Sequence, residues 1–559
     1  MSIKKLLGLF LVVGLVAVTG VFANGQKESP STTTISDAEN VTAPGTFPVV
    51  KNPITLKVLM RGSALIENWD TNAYTMWLEK KTGVHIAWTI ADENNYQQKM
   101  NLVLASGDLP DVLLNMDISP TQQVIYGDQG IFVPLNSLID KYTPTVQKIM
   151  TDLPAVKQTL VGPGGKIYSL PYVNECYHCS MDWKMYLYTP WLKKLGLSVP
   201  KTPAEFEKML FAFKNDDPNG NGKHDEIALV GSTDARSDVS VFLMNSFIYD
   251  NPMQHQMFVK DGKIDVAYDK PAWKDGLTYI HRLYSEGLIA PQSWTQTRDQ
   301  AKALAEGQPP IMGAYPSHSP SSFTIIDGPL NRWLEYVPIS PLKGPQGVQF
   351  TAWMPYQAYF SIGEFAMTKA DKNPAATMRW ADAQYSLEAN LWSNFGQQGK
   401  DWAWPKPTDK GRDGNPATYE LLVPFGQVNN DNWAQRGLDF RTDDNWYRGQ
   451  AITESAESQR GLPNKEKVYY DETKEFYTPY KPPLDTIVPP LFFTQDQASQ
   501  LADMETSITT YVASMTAKFI TGDANLTSDW DTYLKTLNNM NLKRYIQIYQ
   551  QAYDTAHGK

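Results

Sequence analysis

The stretch from residue 54 to residue 115 alternates strand-like and helix-like patterns over short connections. The runs ITLKVLM, VHIAWTI and PDVLLN predict strands, and the segments between them, TNAYTMWLEKKTG and NNYQQKMNLVLASGD, have the apolar spacing of helices. The first helix is expected to end at Gly83. A β-α-β-α-β order with such short connections predicts a parallel sheet covered by helices, which places the chain in the α/β class.

A related pattern begins at residue 202. Thr202, Pro203 and Glu205 have the spacing of a capping box with proline at the first helical position. Apolar residues then follow at the spacing of one helix face, and the run EIALVGS predicts a strand. The segment DDPNGNGKHDEI lies between this helix and this strand, so it connects a helix end to a strand start.

That connecting segment has the residue spacing of a calcium-binding EF-hand loop. Such loops place side-chain oxygens at positions 1, 3, 5 and 9, a glycine at 6 and a backbone carbonyl at 7. The matching residues are Asp217, Asn219, Asn221, Gly222, the Lys223 carbonyl and Asp225. Position 12 is Ala228, so Glu226 is the nearest candidate for the bidentate carboxylate. The segment predicts a shortened loop that binds structural Ca²⁺; the alternative is a polar turn rich in Asn and Gly.

The N-terminus has the order of a secretory leader. Lys4 and Lys5 precede an apolar run, and small residues at Val21 and Ala23 suit cleavage after Ala23. The alternative, a membrane anchor, is disfavoured because the run is shorter than the ~20 residues of a typical span. Since no cysteine lies near the cleavage point, we expect a soluble exported protein without a lipid anchor. Residues 24–50 are rich in Ser, Thr and Pro and predict a flexible linker.

Length and charge narrow the function. The remaining ~500 residues are too many for one core and predict at least two domains. The net charge of −10 argues against nucleic acids and anionic membranes as partners.

The two cysteines, Cys176 and Cys179, are compatible with a local disulfide, two free thiols or half of a metal site.

Aromatic residues are abundant, with 16 Trp and 29 Tyr, and many lie in segments that predict loops. These side chains combine a flat apolar face with a polar group. A sugar ring presents an apolar C–H face and a rim of hydroxyls, so the excess favours a carbohydrate-binding cleft. For any single aromatic residue, a role in the core is the competing interpretation.

Taken together, these motifs resemble the extracellular solute-binding proteins of ABC importers, in the oligosaccharide class of the alginate- and aldouronate-binding proteins. The resemblance rests on LVLASGDLPDVLLNM, TPWLKKLGLSVPKTPAEFEKML, DPNGNGKHDEI, YSEGLIAP and the C-terminal WDTYLKTLNNMNLKRYIQIYQQAYD. It implies a type II periplasmic-binding-protein fold, in which two α/β lobes joined by crossing segments close on a ligand. It also implies a structural Ca²⁺ at the loop 217–226, a monomer in the periplasm, and the transmembrane subunits of an ABC permease as partners.

The resemblance also divides the chain. Residues 1–23 are the leader and 24–50 the linker; lobe 1 takes 51–175 and 340–425, and lobe 2 takes 176–339 and 426–559. The first crossing is expected near YSLPYVNECYHCS, and the next between YVPISPLKGPQG and FSIGEFAMT.

The sequence leaves the sugar open, with a uronate-containing oligosaccharide as one candidate. The predicted stacking residues, chosen from loops near the lobe edges, are Trp69, Trp294, Trp353, Tyr356 and Trp402. For a uronate, Arg61, Arg298 and Lys400 are candidate cations. No G-x-S-x-G, H-E-x-x-H or P-loop pattern is present, so we expect a binding protein and not an enzyme. The alternative is a secreted polysaccharide-active enzyme, which needs two facing carboxylates, or a lectin without a transport role.

Overall fold

The strands of the protein, taken from a computed structural model, form several small sheets. The structure describes residues 36–326, 328–356, 360–423, 430–451 and 462–558, and the compact unit that contains both lobes begins at Asp37. The strands are β1 (Ile54–Arg61), β2 (Val84–Ala91), β3 (Val112–Leu114), β4 (Tyr172–Asn174), β5 (Lys184–Tyr188), β6 (Ile227–Leu229), β7 (Met257–Lys260), β8 (Lys263–Val266), β9 (Met312–Ser317), β10 (Tyr336–Ile339), β11 (Phe360–Ser361), β12 (Phe365–Met367), β13 (Trp402–Ala403), β14 (Glu420–Leu421) and β15 (Phe440–Arg441).

The helices pack around these sheets. They are α1 (Asp37–Asn40), α2 (Ala73–Thr82), α3 (Tyr96–Ser106), α4 (Pro120–Asp128), α5 (Asn136–Tyr142), α6 (Pro144–Asp152), α7 (Pro154–Leu160), α8 (Thr189–Lys194), α9 (Pro203–Asn215), α10 (Val239–Met244), α11 (Pro271–Ser285), α12 (Arg298–Ala305), α13 (Pro374–Ala383), α14 (Leu387–Asn394), α15 (Lys465–Phe476), α16 (Gln495–Thr521), α17 (Trp530–Asn539) and α18 (Leu542–Ala556).

The first lobe is built on the predicted parallel sheet. Strands β1, β2 and β3 are parallel, and β12 joins the edge antiparallel to β3, giving the order β12-β3-β1-β2. Helix α2 ends at Gly83, which has the left-handed backbone (φ 77°) that glycine adopts without strain. All three residues of β3 are buried, as expected for a strand covered on both faces. These elements confirm the predicted strands and helices between residues 54 and 115.

Residues 37–50 pack on the first lobe, so the prediction of a flexible linker over 24–50 is wrong for this part. Val49 and Val50 are buried in the core of the lobe. The carboxylate of Asp37 accepts hydrogen bonds from the backbone N–H groups of Ala375 and Ala376, at the start of α13 (2.6 and 3.2 Å). The segment is ordered because it buries valines and caps a helix, which composition alone does not reveal. Residues 1–35, with the predicted leader, lie outside the described residues.

The second lobe contains a mixed sheet of order β10-β5-β9-β6. Strand β5 is antiparallel to both neighbours, β10 and β9, whereas β6 is parallel to β9. All residues of β5 and β9 are buried, because helices cover both faces of the sheet. Helices α16 and α18 contribute to the same core, so the C-terminal segment belongs to this lobe.

Helix α9 starts where the sequence predicts. The Thr202 side chain accepts a hydrogen bond from the N–H of Glu205, and Pro203 occupies the first helical position. The Glu205 carboxylate accepts from the N–H of Lys201 (2.7 Å), one residue before the position that a reciprocal capping box requires. The helix ends at Asn215 and β6 begins at Ile227, so the loop between them joins a helix end to a strand start.

Three short strands connect the lobes. Strand β4 pairs with β11 antiparallel and with β15 parallel, which forms a small sheet at the predicted first crossing. Trp353 and Tyr356 still pack in the core of the second lobe, whereas Trp433 and Leu438 pack in the core of the first. The predicted boundaries near 340 and 425 therefore lie too early along the chain, and we propose boundaries near 356 and 451 instead.

Candidate functional site

Polar side chains gather where the parallel strands of the first lobe end. Arg61 is the last residue of β1, Glu93 follows β2, and Asn115 and Asp117 follow β3. The carboxyl ends of parallel strands share one edge of a sheet, where open α/β sheets bind their ligands. These residues line a cavity of about 410 Å³.

Arg61 is the first of two paired cations in this cavity. Its Nη1 donates to Asp117 Oδ2 (2.8 Å), and its guanidinium lies 4.1 Å from the centre of the Tyr96 ring. The Tyr96 hydroxyl donates to the same Asp117 oxygen. These contacts fix the planar groups of Arg61 and Asp117 beside the cavity, an arrangement that suits hydrogen bonds to neighbouring sugar hydroxyls.

Arg436 is the second cation. Its guanidinium donates to the carboxylate of Glu93 and, more weakly, to Asn115 Oδ1 (3.4 Å). It reaches the cavity from a segment more than 300 residues downstream of the β-strand ends. The two arginines are therefore each opposed by a carboxylate, so their charge is largely balanced within the cavity.

Glu364 also lines this cavity, is buried, and directly precedes β12. Backbone hydrogen bonds from Asn115 N to Glu364 O (2.6 Å) and from Ile118 N to Gly363 O (3.1 Å) hold its segment against the residues after β3. Its side chain is 5 % exposed and accepts from the Asn115 amide (3.2 Å). Burial, and then the neighbouring Asp117 carboxylate, raise the pKa of Glu364 well above its usual value.

A second cavity, of about 400 Å³, continues the first into the space between the lobes. Asp117 and Glu364 line both cavities, while Tyr356 and Tyr549 line the second from the other lobe. The lobes also touch beside it, where α4 contacts α16. The two cavities therefore form one cleft with walls from both lobes.

A third cavity, of about 540 Å³, is lined by residues that follow the crossing strands β4 and β15, among them Tyr177 and Tyr447. Tyr172 of β4 lines the first cavity, and Asn174, two residues later, accepts a hydrogen bond from the hydroxyl of Tyr447, which lines the third. Residues two apart in a strand share a face, so the first and third cavities lie on the same side of β4. The third cavity is rich in basic side chains: Lys410, Arg412, Arg448, Lys467 and Lys474.

Of the eight residues proposed to bind the ligand, Arg61 and Tyr356 line the cleft, whereas Lys400 is exposed and pairs with Asp431 (2.5 Å). Trp353 is 9 % exposed and lies under the Lys481 ammonium (4.4 Å from its ring centre). Trp402 is completely buried, and its indole N–H donates to the Gly396 carbonyl (2.8 Å), so its ring has no face open to a sugar in this conformation.

The other predicted residues lie in different surroundings. Trp69 is partly buried, with its ring centre 5.4 Å from that of Trp88. Trp294 packs edge-on against Tyr284, with ring centres 5.6 Å apart, at the edge of the second core. Arg298 is half-exposed and lies 3.5 Å from Asp234. A role of these residues in ligand binding stays a prediction.

Sequence reasoning did not select Glu93, Asn115, Asp117, Glu364 or Arg436. Asn115 and Asp117 had a usable signal, because polar residues directly after a buried strand of a parallel sheet lie at its binding edge. Glu364 and Arg436 had none, since they reach the cleft only through long-range strand pairing and loop packing.

The loop after α9 has the internal hydrogen bonds of a tight, glycine-containing turn. Asp217 Oδ1 accepts from the N–H of Gly220 (2.9 Å), and Oδ2 accepts from the N–H of Gly222 (3.0 Å). Burial would raise the pKa of Asp217, but the N–H groups of Gly222, Gly220 and Asn221 lower it overall. Gly222 has φ 74°, the left-handed backbone that glycine adopts without strain in a sharp turn.

The remaining predicted ligands of the loop face inward as hydrogen-bond partners. The amide groups of Asn219 and Asn221 donate to the Asp225 carboxylate (3.0 and 3.1 Å). Glu226 is 9 % exposed, and its Oε2 is buried without a hydrogen-bond partner among the described residues. Burial raises the pKa of Glu226. A buried carboxylate oxygen without a partner, beside two more acids and two side-chain amides, fits the oxygen donor set that Ca²⁺ requires.

Cys176 and Cys179 form a disulfide, the first of the three predicted states. They lie just after β4, where the chain passes to the second lobe. The His178 ring lies beside the disulfide, with Nε2 3.8 Å from Cys176 Sγ and 3.7 Å from Cys179 Sγ, and burial lowers the pKa of His178 to about 4. Because the two cysteines are three residues apart, the disulfide closes a short local turn.

No helix in the described ranges combines the length and the apolar character needed to cross a lipid bilayer.

Comparisons with known proteins agree with this architecture. A profile of the family described as "Bacterial extracellular solute-binding protein" matches residues 59–391. The "Fructooligosaccharide ABC transporter substrate-binding protein FusA" of Streptococcus pneumoniae is 30% identical over 91% of this chain and 91% of its own length.

Solved structures of the same relative superpose on this chain. FusA of S. pneumoniae in complex with kestose has a TM-score of 0.70 at 28% identity and covers 90% of this chain and 100% of its own. A FusA EF-hand mutant in complex with fructo-nystose has a TM-score of 0.69 at 28% identity, with the same coverage. The two-lobed α/β fold of the chain is thereby confirmed.

Proposed function

Because the chain belongs to the bacterial extracellular solute-binding protein family, we propose that it is the substrate-binding component of an ABC importer that captures an oligosaccharide between its lobes. The permease that receives the sugar would be its membrane partner. The observation that carries this proposal is the cleft that joins the strand ends of the first lobe to Tyr356 and Tyr549 of the second. Planar polar groups and aromatic rings are the usual means of holding sugar hydroxyls and sugar faces.

Fructooligosaccharides are the first ligands to test, because the name of the relative FusA specifies them. Isothermal titration of the purified chain with kestose should give saturable 1:1 binding, whereas maltotriose, a glucose trisaccharide, serves as a size-matched control. Absence of heat with kestose and with a wider panel of oligosaccharides would contradict the proposal.

The same sample tests for enzymatic activity. The family and the relative are binding proteins, and we propose that this chain also lacks catalytic activity. Chromatography of the kestose after prolonged incubation should return it uncut. Release of fructose or sucrose would instead support the polysaccharide-active alternative.

We also propose that the loop 217–226 binds one Ca²⁺ as a structural ion. Asp217, Asn219, Asn221, Asp225 and Glu226 would supply side-chain oxygens, and Lys223 its backbone carbonyl. Bound calcium would neutralise the clustered carboxylates and use the unpartnered Glu226 oxygen. The EF-hand named in the FusA structure supports such a site in a relative.

Export to the periplasm as a soluble monomer completes the proposal. The family is extracellular by description, and the order of basic, apolar and small residues before Asn24 suits a leader cleaved after Ala23 without lipid attachment. N-terminal sequencing of exported protein should begin at Asn24. An N-terminus at Met1 would contradict cleavage.

A further inference from the structure

The charges in the cavity at the strand ends of the first lobe nearly cancel. Among the described residues that line it, the cations are Arg61 and Arg436 and the acids are Glu93, Asp117 and Glu364. Arg61 is paired with Asp117, and Arg436 is paired with Glu93. Glu364 is left as the fifth charged group, and its state decides the net charge of the cavity.

Glu364 is held against another carboxyl group. The backbone bonds between residues 115–118 and 363–364 place Glu364 beside Asp117, and both side chains line the two joined cavities. Asp117 is more exposed, at 42 %, and already has Arg61 and Tyr96 as partners. If both carboxyl groups were charged, desolvation of the buried one and repulsion between the two would cost a large free energy. The proton therefore belongs on the buried carboxyl group.

The other titratable groups around Glu364 do not remove this cost. Arg61 and Arg436 favour its charged form but are already paired with Asp117 and Glu93. Asp117 disfavours the charged form, as do the phenols of Tyr172 and Tyr385 wherever these ionise. Burial has the largest effect and raises the pKa of Glu364 well above its usual value.

We infer that Glu364 is protonated beside the Asp117–Arg61 ion pair, so that this part of the cleft carries no net charge and selects uncharged sugar units over uronates. The inference rests on the proposed function, whose ligand class it narrows. A uronate carboxylate placed here would meet Asp117 and Glu93 without an unpaired cation among the described lining residues. A neutral sugar instead finds acceptors in the carboxylates and donors in the arginines.

The inference is restricted to the sugar unit at the strand ends. The third cavity carries an excess of basic side chains and could accommodate a charged unit of a mixed oligosaccharide. A ligand charged on every unit, such as trigalacturonate, always places a carboxylate at the strand ends and is therefore the probe that tests the inference.

Infrared spectroscopy tests for the proton on Glu364 without any ligand. At pH 7 the wild-type protein should show the C=O stretch of one more protonated carboxylic acid than Glu364→Gln. The matched control is Glu67→Gln, at an exposed position, which should lose a carboxylate band instead. If Glu364→Gln also loses only a carboxylate band, the inference is wrong.

Thermal stability gives a second readout of the same proton. Because the pKa of Glu364 is raised on folding, the native state keeps a proton that the unfolded chain releases above the usual pKa of about 4.3. Wild-type stability then falls as pH rises from that value toward the raised pKa, whereas Glu364→Gln lacks this loss. The Tm of the variant minus the Tm of the wild type should therefore become more positive as the pH rises over this window. A constant difference would contradict the inference.

Titrations test selectivity. The wild-type protein should bind kestose at least tenfold more tightly than trigalacturonate. Asp117→Asn removes the partner of Arg61 and should reduce that ratio by about tenfold. Equal or tighter binding of trigalacturonate by the wild type would overturn the selectivity, as would an unchanged ratio in a folded Asp117→Asn. If these two sugars and a wider panel of oligosaccharides all fail to bind, the proposed function fails, while the infrared and stability results still decide whether Glu364 holds the proton.

Discussion

The carboxylates of the loop after α9 hold that loop together from within. Asp217 accepts three backbone hydrogen bonds, from Gly220, Asn221 and Gly222. Glu226 keeps one buried oxygen without a partner in the described structure. The loop therefore has a folded backbone whose remaining acceptors would be satisfied by a cation.

We expect calcium removal to lower stability without abolishing sugar binding, since the loop joins α9 to β6 and does not line the cleft cavities described above. Chelation with EDTA should cost about 3–4 kcal/mol if the ion was present at 100–1,000 times its Kd. Asp217→Ala and Glu226→Ala should reproduce most of this loss in calorimetry, and neither should respond further to EDTA.

Asp216→Ala is the matched control, because Asp216 is adjacent and exposed but outside the ligand register. It should keep a full response to EDTA. If protein that elemental analysis shows to contain calcium keeps its Tm after chelation, the ion has no structural role.

Two aromatic residues on the predicted ligand list differ in whether they reach the cleft. Tyr356 packs in the second core and also lines the cleft, whereas Trp402 is completely buried and does not line the cleft cavities. Tyr356→Ala should weaken kestose binding by roughly 1–3 kcal/mol in addition to lowering stability. Trp402→Ala should cost ~3–5 kcal/mol of stability while the folded fraction binds normally. Titration and a melting curve on both variants check this; the reverse pattern would assign the stacking role to Trp402.

Individual residues of the site differ in how far the sequence predicts them. The calcium loop could be predicted because its donors lie within ten residues and one register. Arg61 could be proposed because it ends a recognisable strand. Glu364 and Arg436 could not, because β12 pairing and the packing of a distant loop bring them to the cleft.

Among the secondary-structure elements too, those set by local sequence signals were predictable and those set by long-range contacts were not. Strands β1 to β3 and helices α2 and α3 were predictable because periodicity and end signals are local. The segment 37–50 was not, because its polar composition conceals Val49 and Val50, which become buried only against the folded lobe. The average polarity of a segment predicts disorder, whereas the burial of two apolar side chains is enough to hold the segment against the lobe.

The packed N-terminal segment yields a prediction at this scale. Asn373, the residue before α13, makes no capping bond with its side chain, and Asp37 bonds the first free N–H groups of that helix instead. Asp37→Ala should cost about 1 kcal/mol of stability, whereas Asp37→Asn, which keeps a side-chain acceptor, should cost less. Urea denaturation of both variants measures the difference; equal losses would show that hydrogen bonding to α13 contributes little.

At the scale of the whole molecule, the crossing strands β4, β11 and β15 connect the two lobes, an arrangement in which hinge closure on a ligand is expected. We expect ligand to favour the closed arrangement, because the cleft has walls from both lobes and a bound sugar contacts both. Small-angle X-ray scattering should show a smaller radius of gyration with saturating kestose than without it. An unchanged radius with confirmed binding would indicate a cleft that is already closed.

The cores of the two lobes are assembled from distant parts of the chain. Lobe 1 is completed by β12, α13 and residues up to Leu438, and lobe 2 by α16 to α18. Many multidomain proteins fold each domain as it emerges during synthesis, but here neither core has all its parts until most of the chain has been made. The nascent chain should therefore stay unfolded until late in translation, and an unfolded chain is the form that can be threaded through a narrow export channel.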